Sequence, residues 1–169
     1  MLFRSFNDMY VGKADLDNLF IANGGDDKIT GANLNDTFYG GDGNDAINSL
    51  GGNDFINAGR GIDIVDGGEN FDTLSFEGAN GGLNVGLTFQ TVLIDKTTGD
   101  VSVGGRATIG TSITNFSNIE SFIFTDFDDY IVGTSGRDNF TGNKGSDFLF
   151  GAQGNDYLVG GEGDRKSVV

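Results

Sequence analysis

The chain has 169 residues, with 25 acidic against 10 basic side chains and a net charge of −15, a balance that rules against nucleic acid or an anionic membrane surface as its main partner. It contains no cysteine, proline or histidine. No disulfide framework can hold it, no prolyl isomerisation can slow its folding, and zinc-protease motifs and Ser-His or Cys-His arrangements are excluded.

The N-terminal stretch MLFRSFNDMYVGKADLDNLF has no apolar run of the length a signal peptide needs, and no stretch elsewhere approaches a membrane span. A first array then covers residues 12–75, where a six-residue turn and a three-residue strand recur; the plainest copy is GGDGNDAIN at 40–48. An acidic residue closes the turn at Asp27, Asp36, Asp45, Asp54, Asp63 and Asp72, nine apart each time, and an apolar residue follows two places later at Ile29, Phe38, Ile47, Ile56, Val65 and Leu74. A further copy upstream, with Asp17 and Leu19, stands ten residues before the next. Fixed-period self-similarity of this kind predicts stacked units in place of one globular core.

Residues 76–121 lose the period and keep β character. Leu83, Val85, Leu87 and Phe89 alternate with polar or glycine positions, and TVLID, KTTGD and VSV predict strand, turn and strand. Forty-six residues without helical periodicity make a poor independent core, so this segment is expected to add strands to the stack, with a hairpin near Lys96 to Asp100. A second array at 122–163 restores the period with Asp129, Asp138, Asp147 and Asp156, followed by Ile131, Phe140, Leu149 and Leu158. The pattern breaks off at 164–169 in DRKSVV, which is expected to be a non-native tail, the translation of a sequencing adapter, on a fragment of a longer protein.

Each place in the repeat has its own chemistry. Glycines at the first, second and fourth places let the backbone curl tightly. The aspartate at the sixth supplies a carboxylate. Carbonyls and carboxylates together are oxygen ligands for a hard cation, and a flexible shell of about six to eight oxygens suits calcium better than magnesium. The three strand residues alternate outward, inward, outward, so Ile47 faces inward between Ala46 and Asn48.

The pattern GGxGxDxUx, with U apolar, resembles the RTX (repeats in toxin) family, the hemolysin-type calcium-binding repeats, over roughly two thirds of the chain. The segment Asn118 to Phe122, NIESF, also resembles one that leads back into the repeats in such proteins. The resemblance implies an all-β fold: a right-handed parallel β-roll (β-solenoid) of nonapeptide repeats with two repeats per coil, interrupted by the β-rich insert. It implies calcium between stacked turns, with Asp27, Asp45 and Asp63 along one edge and Asp36, Asp54 and Asp72 along the other, then Asp129 on Asp147 and Asp138 on Asp156. One ion per acidic pair gives on the order of six, and Asp17 is carried as a ligand of the upstream copy. Turns GANLND at 31–36, SLGGND at 49–54, GGENFD at 67–72 and FTDFDD at 124–129 depart from the pattern, and calcium is least expected there.

A single aspartate in a Gly/Asn-rich turn is ordinarily a turn former bonding its own backbone; strict phase over ten copies reverses that reading. An EF-hand is rejected, because the alternations Asp15/Asp17 and Asp126/Asp128 lack the loop's glycine and terminal glutamate. No GxSxG occurs, and the repeat phase explains the paired carboxylates better as ligands than as glycoside-cleaving acids. The chain is therefore expected not to be an enzyme, with any catalytic domain outside it. Two functions compete. One is a calcium-folded module of a secreted, extracellular bacterial protein leaving a Gram-negative cell by type I secretion. The other is an adhesin-like or polysaccharide-holding binding module, like those attached to alginate epimerases, with a protein or polysaccharide partner at Tyr130, Val132, Phe148 and Phe150, which should form an apolar patch on one face.

Overall fold

The alternation of one inward apolar residue per short strand gives 17 strands and no helix among the described residues of the computed structural model, which are 6–79, 91–94, 101–109, 111–133, 137–163 and 166–168. The first array contains β1 (Met9–Val11), β2 (Leu19–Ile21), β3 (Lys28–Ala32), β4 (Thr37–Asp42), β5 (Ala46–Leu50), β6 (Phe55–Arg60), β7 (Ile62–Asp66) and β8 (Thr73–Ser75). The insert follows with β9 (Thr91–Ile94), β10 (Val101–Ile109) and β11 (Ser112–Ile119). Then come β12 (Ser121–Ile123), β13 (Tyr130–Val132), β14 (Asn139–Thr141), β15 (Phe148–Phe150), β16 (Tyr157–Val159) and β17 (Lys166–Val168).

Successive strands belong to opposite walls of a β-solenoid. One wall runs β2, β4, β6, β8, β12, β14, β16, parallel throughout. The facing wall runs β1, β3, β5, β7, β11 in parallel, and its last strand carries an antiparallel hairpin, β10 and β9. β10 occupies the edge of β11 that the next coil would use, so β13, β15 and β17 form a separate parallel sheet. Ile94 pairs with Val101; the hairpin tip at 95–100 and the strand expected around Leu83 to Phe89 lie outside the described residues.

A coil of 18 residues brings like places into register, as at Lys28, Ala46 and Ile64. The inward residues therefore form two facing columns: Phe20, Phe38, Ile56, Leu74, Phe122 and Phe140 on one wall, and Ile29, Ile47, Val65 and Phe116 on the other, with Ile131 and Leu149 of the separate sheet in the same core, all buried. Neighbours touch at coil spacing, as Phe20 and Phe38 do with centroids 4.9 Å apart and planes at 11°. Phe116 meets Phe122 edge-on at 5.2 Å, tying the insert's last strand to the core.

The first coil corrects the sequence reading. Phe20, not Leu19, pairs with Phe38, and Asn18, not Asp17, stands in the column of Asp36. Leu19 is 48% exposed and Phe20 4%; Asp17 is exposed. The strict nine-residue phase reaches back to Asn18, and choosing the nearby carboxylate broke it by one residue, which turns every strand side chain to the opposite face. In calcium, Phe20→Ala should cost about 3–5 kcal/mol and Leu19→Ala about 1 kcal/mol or less, measured by urea denaturation; equal losses would contradict this register.

Candidate metal centre

The sixth-place aspartates stack as the period requires, and each carboxylate reaches back to the coil before it. The N–H of Asp27 donates to Asp45 Oδ1 at 2.9 Å and that of Asp45 to Asp63 Oδ1 at 3.0 Å. On the other edge Asp36 donates to Asp54 Oδ1 at 2.7 Å and Asp54 to Asp72 Oδ1 at 2.9 Å. The second array repeats this with Asp129 to Asp147 at 3.0 Å and Asp138 to Asp156 at 3.1 Å.

Two residues join these columns that carry no repeat signature. Asp8 donates its N–H to Asp27 Oδ1 at 2.7 Å, one coil upstream. Glu120 takes the aspartate's place beside Asp72, accepting the Asp72 N–H at 2.8 Å through Oε2. Here the chain passes from Thr114, opposite Asp63, to Glu120, beside Asp72, in six residues where the previous coil uses nine. The turn is cut short, and a glutamate makes the contact that an aspartate makes in the other coils. The break in period hides Asp8 and Glu120 in the sequence.

A second ladder runs along the fifth place. Asn44 N–H donates to Asp26 Oδ1 and Ile62 N–H to Asn44 Oδ1, each at 2.8 Å; Asn53 N–H donates to Asn35 Oδ1 at 2.8 Å and Phe71 N–H to Asn53 Oδ1 at 3.1 Å. The signal was present as the recurrence of Asn or Asp before the sixth-place aspartate. These bonds join coils through amide side chains as well as carboxylates, so they form without metal.

The other oxygen of the sixth-place carboxylate is the informative one. Oδ2 of Asp27, Asp45, Asp54, Asp63 and Asp72 is buried and accepts no hydrogen bond. Burial pushes the carboxyls of Asp45 and Asp54 up to about 6, of Asp63 to about 7 and of Asp72 to about 8, against the lowering effect of the N–H each accepts; neighbouring carboxylates, Glu120 included at Asp72, raise them further. The ion pairs of Arg60 with Asp42 and of Lys144 with Asp126 lie at the exposed third place and leave these oxygens untouched. A buried carboxylate oxygen without a donor is costly, so the turns suit a cation.

The first-place glycine leaves room there. A Cβ on Gly40 would collide with the Ala58 carbonyl and with Asp45 Oδ2, so this glycine is demanded by space and not by backbone angle. Positive φ falls instead at the second and fourth places, 109° at Gly41 and 141° at Gly43. Among the described residues no three acidic side chains converge as a ready cage. Backbone carbonyls must complete any shell, which is the mixed oxygen chemistry of calcium.

The family model of the RTX calcium-binding nonapeptide repeat matches residues 7–38, 14–47, 21–56, 30–65, 39–74, 125–158 and 132–165, more than half of the chain. No curated protein matches it.

The raised carboxyls fix a pH dependence. Between the ordinary aspartate value of about 3.9 and the folded values of about 6 to 8, the folded chain holds more protons than the unfolded one, so metal-free stability falls as pH rises through that window. In chelator, β-structure followed by circular dichroism should be best retained near about pH 5 and lost as pH rises toward 8, while in calcium, which competes with protons for the same oxygens, the thermal midpoint should rise with pH. β-structure that increases with pH in chelator would contradict the assignment.

Proposed function

The chain belongs to the family of RTX calcium-binding nonapeptide repeats, and from that premise we propose that it is a module of a secreted bacterial protein that folds when it meets calcium outside the cell. The observation that carries this reading is the row of buried Oδ2 atoms without donors at Asp27, Asp45, Asp54, Asp63 and Asp72. Calcium lodged between stacked turns would hold them, supplying the positive charge that the surrounding side chains do not. With a net charge of −15 and 30 glycines, the metal-free chain faces both carboxylate repulsion and a large backbone entropy loss. Low cytosolic calcium keeps such a chain extended enough for a type I channel, and extracellular calcium folds it. No described helix is long and apolar enough to cross a membrane. Any catalysis is assigned to chain beyond these residues.

Circular dichroism should show mostly disordered chain in chelator at neutral pH and β-structure in millimolar calcium; a β-rich, heat-stable chain in chelator would sink the proposal. Asp45→Asn should raise the calcium midpoint several-fold, and Asp15→Asn, exposed and outside the columns, should leave it in place. Asp100, in the insert, lies outside the described residues.

One observation favours a binding role alongside. Tyr130 is 55% exposed and stacks on Phe148 with centroids 4.8 Å apart, while Val132 and Phe150 pair in the same register. The core behind them is already filled by Ile131 and Leu149, so this apolar strip is surplus to the coil and suits a protein or polysaccharide partner. Replacing Phe148 and Phe150 by Ser should preserve calcium-induced β-structure and reduce self-association in sedimentation; failure to fold at saturating calcium would place those rings in the packing core.

A further inference from the structure

Among the described residues, turns 31–36 and 124–129 hold their carboxylates differently from the turns of Asp27, Asp45, Asp54, Asp63 and Asp72, and we infer that Asp36 and Asp129 are internal caps of metal-free turns, with calcium confined to the left-handed turns around them. The inference rests on the calcium reading above and divides its sites. In turn 31–36 the N–H of Ala32 donates to Asp36 Oδ2 at 2.8 Å, while Oδ1 accepts the backbone N–H of Asn18 at 2.6 Å and its side-chain amide at 2.8 Å. In turn 124–129 the N–H of Thr125 donates to Asp129 Oδ2 at 3.0 Å, and the Thr125 hydroxyl lies 2.9 and 3.1 Å from the two carboxylate oxygens. Both aspartates are buried, and both have donors on each oxygen.

The backbone explains the division. Turns 49–54 and 67–72 also depart from the glycine pattern, yet they keep positive φ at the second and fourth places, with 76° at Leu50, 117° at Gly52, 91° at Gly68 and 83° at Asn70. Turns 31–36 and 124–129 contain no residue of positive φ. Without that reversal the second-place N–H, from Ala32 or Thr125, turns onto its own carboxylate. Where the reversal occurs, as at Asp54 and Asp72, Oδ2 is left without a donor. Calcium at Asp36 or Asp129 would have to displace buried N–H groups and leave them unpaired, a cost that the left-handed turns do not carry.

Position supports the same division. Turn 31–36 stacks on Asn18, which brings no charge to share an ion, and turn 124–129 is the first turn after the insert. Each stands where a column begins without an acidic turn before it, and each is closed by its own donors.

Native mass spectrometry of the full chain in saturating calcium tests this by counting ions. Asp36→Asn and Asp129→Asn should keep the wild-type count, while Asp54→Asn should lose an ion. Because either capped variant could misfold, a gain-of-site variant is paired with them: Ala32→Gly, Asn33→Asp and Leu34→Gly together rewrite turn 31–36 as GGDGND and should add one further ion. An ion lost from Asp36→Asn or Asp129→Asn, or a rewritten turn that gains none, overturns the inference. Calcium-dependent folding of the wild-type chain in the same experiments isolates that failure from failure of the calcium reading itself.

Discussion

The solenoid depends on one contact made over and over: a backbone N–H in one coil donated to the carboxylate of the next, as from Asp45 to Asp63 at 3.0 Å. That bond uses one oxygen and buries the other. At Asp27, Asp45, Asp54, Asp63 and Asp72 the second oxygen has no donor, so the interaction that stacks the coils also creates the need for a cation. Stability and metal binding are therefore the same property of these turns.

Because each coil touches only its neighbours, the structure is close to one-dimensional. The inward columns supply a narrow core of one apolar residue per strand on each wall, with aromatic contacts such as Phe20 on Phe38 adding to it. Such a core, divided among many short strands and opposed by the entropy of 30 glycines, leaves the turns to decide whether the chain folds. The fifth-place ladder through Asp26, Asn44 and Ile62 offers the coils a metal-free attachment, and the metal-free caps at Asp36 and Asp129 belong to the same economy of donors and acceptors.

The insert is accommodated by continuing the hydrogen-bonding of one wall and interrupting the other side's turn. β11 pairs with β7 in the register of a coil, Phe116 enters the core, and Glu120 restores the carboxylate contact to Asp72. The opposite wall passes from β8 to β12 to β14 without a break. The cost falls on the far edge of β11, where β10 excludes β13 and a new sheet begins.

The sequence by itself determined the inward residues of both arrays from Ile29 onward, because a fixed period places chemically equivalent residues at equivalent positions whatever the turn conformation, and its resemblance to the RTX repeats, with two repeats per coil, implied the all-β solenoid and the stacking of Asp27 with Asp45 and Asp63 and of Asp36 with Asp54 and Asp72. It also contained the phase of Asn18, obscured by the more attractive carboxylate of Asp17 next to it. Only the tertiary structure decided what each carboxylate touches. Whether Oδ2 is capped, as at Asp36, or left bare, as at Asp54, turns on the sign of φ at two neighbouring residues, and Leu50 or Asn70 can adopt the left-handed form that Ala32 does not. The same holds for Glu120, whose role comes from a shortened turn that brings distant segments together. Periodicity encodes position; the direction of a donor or an acceptor is set by the coil packed against it.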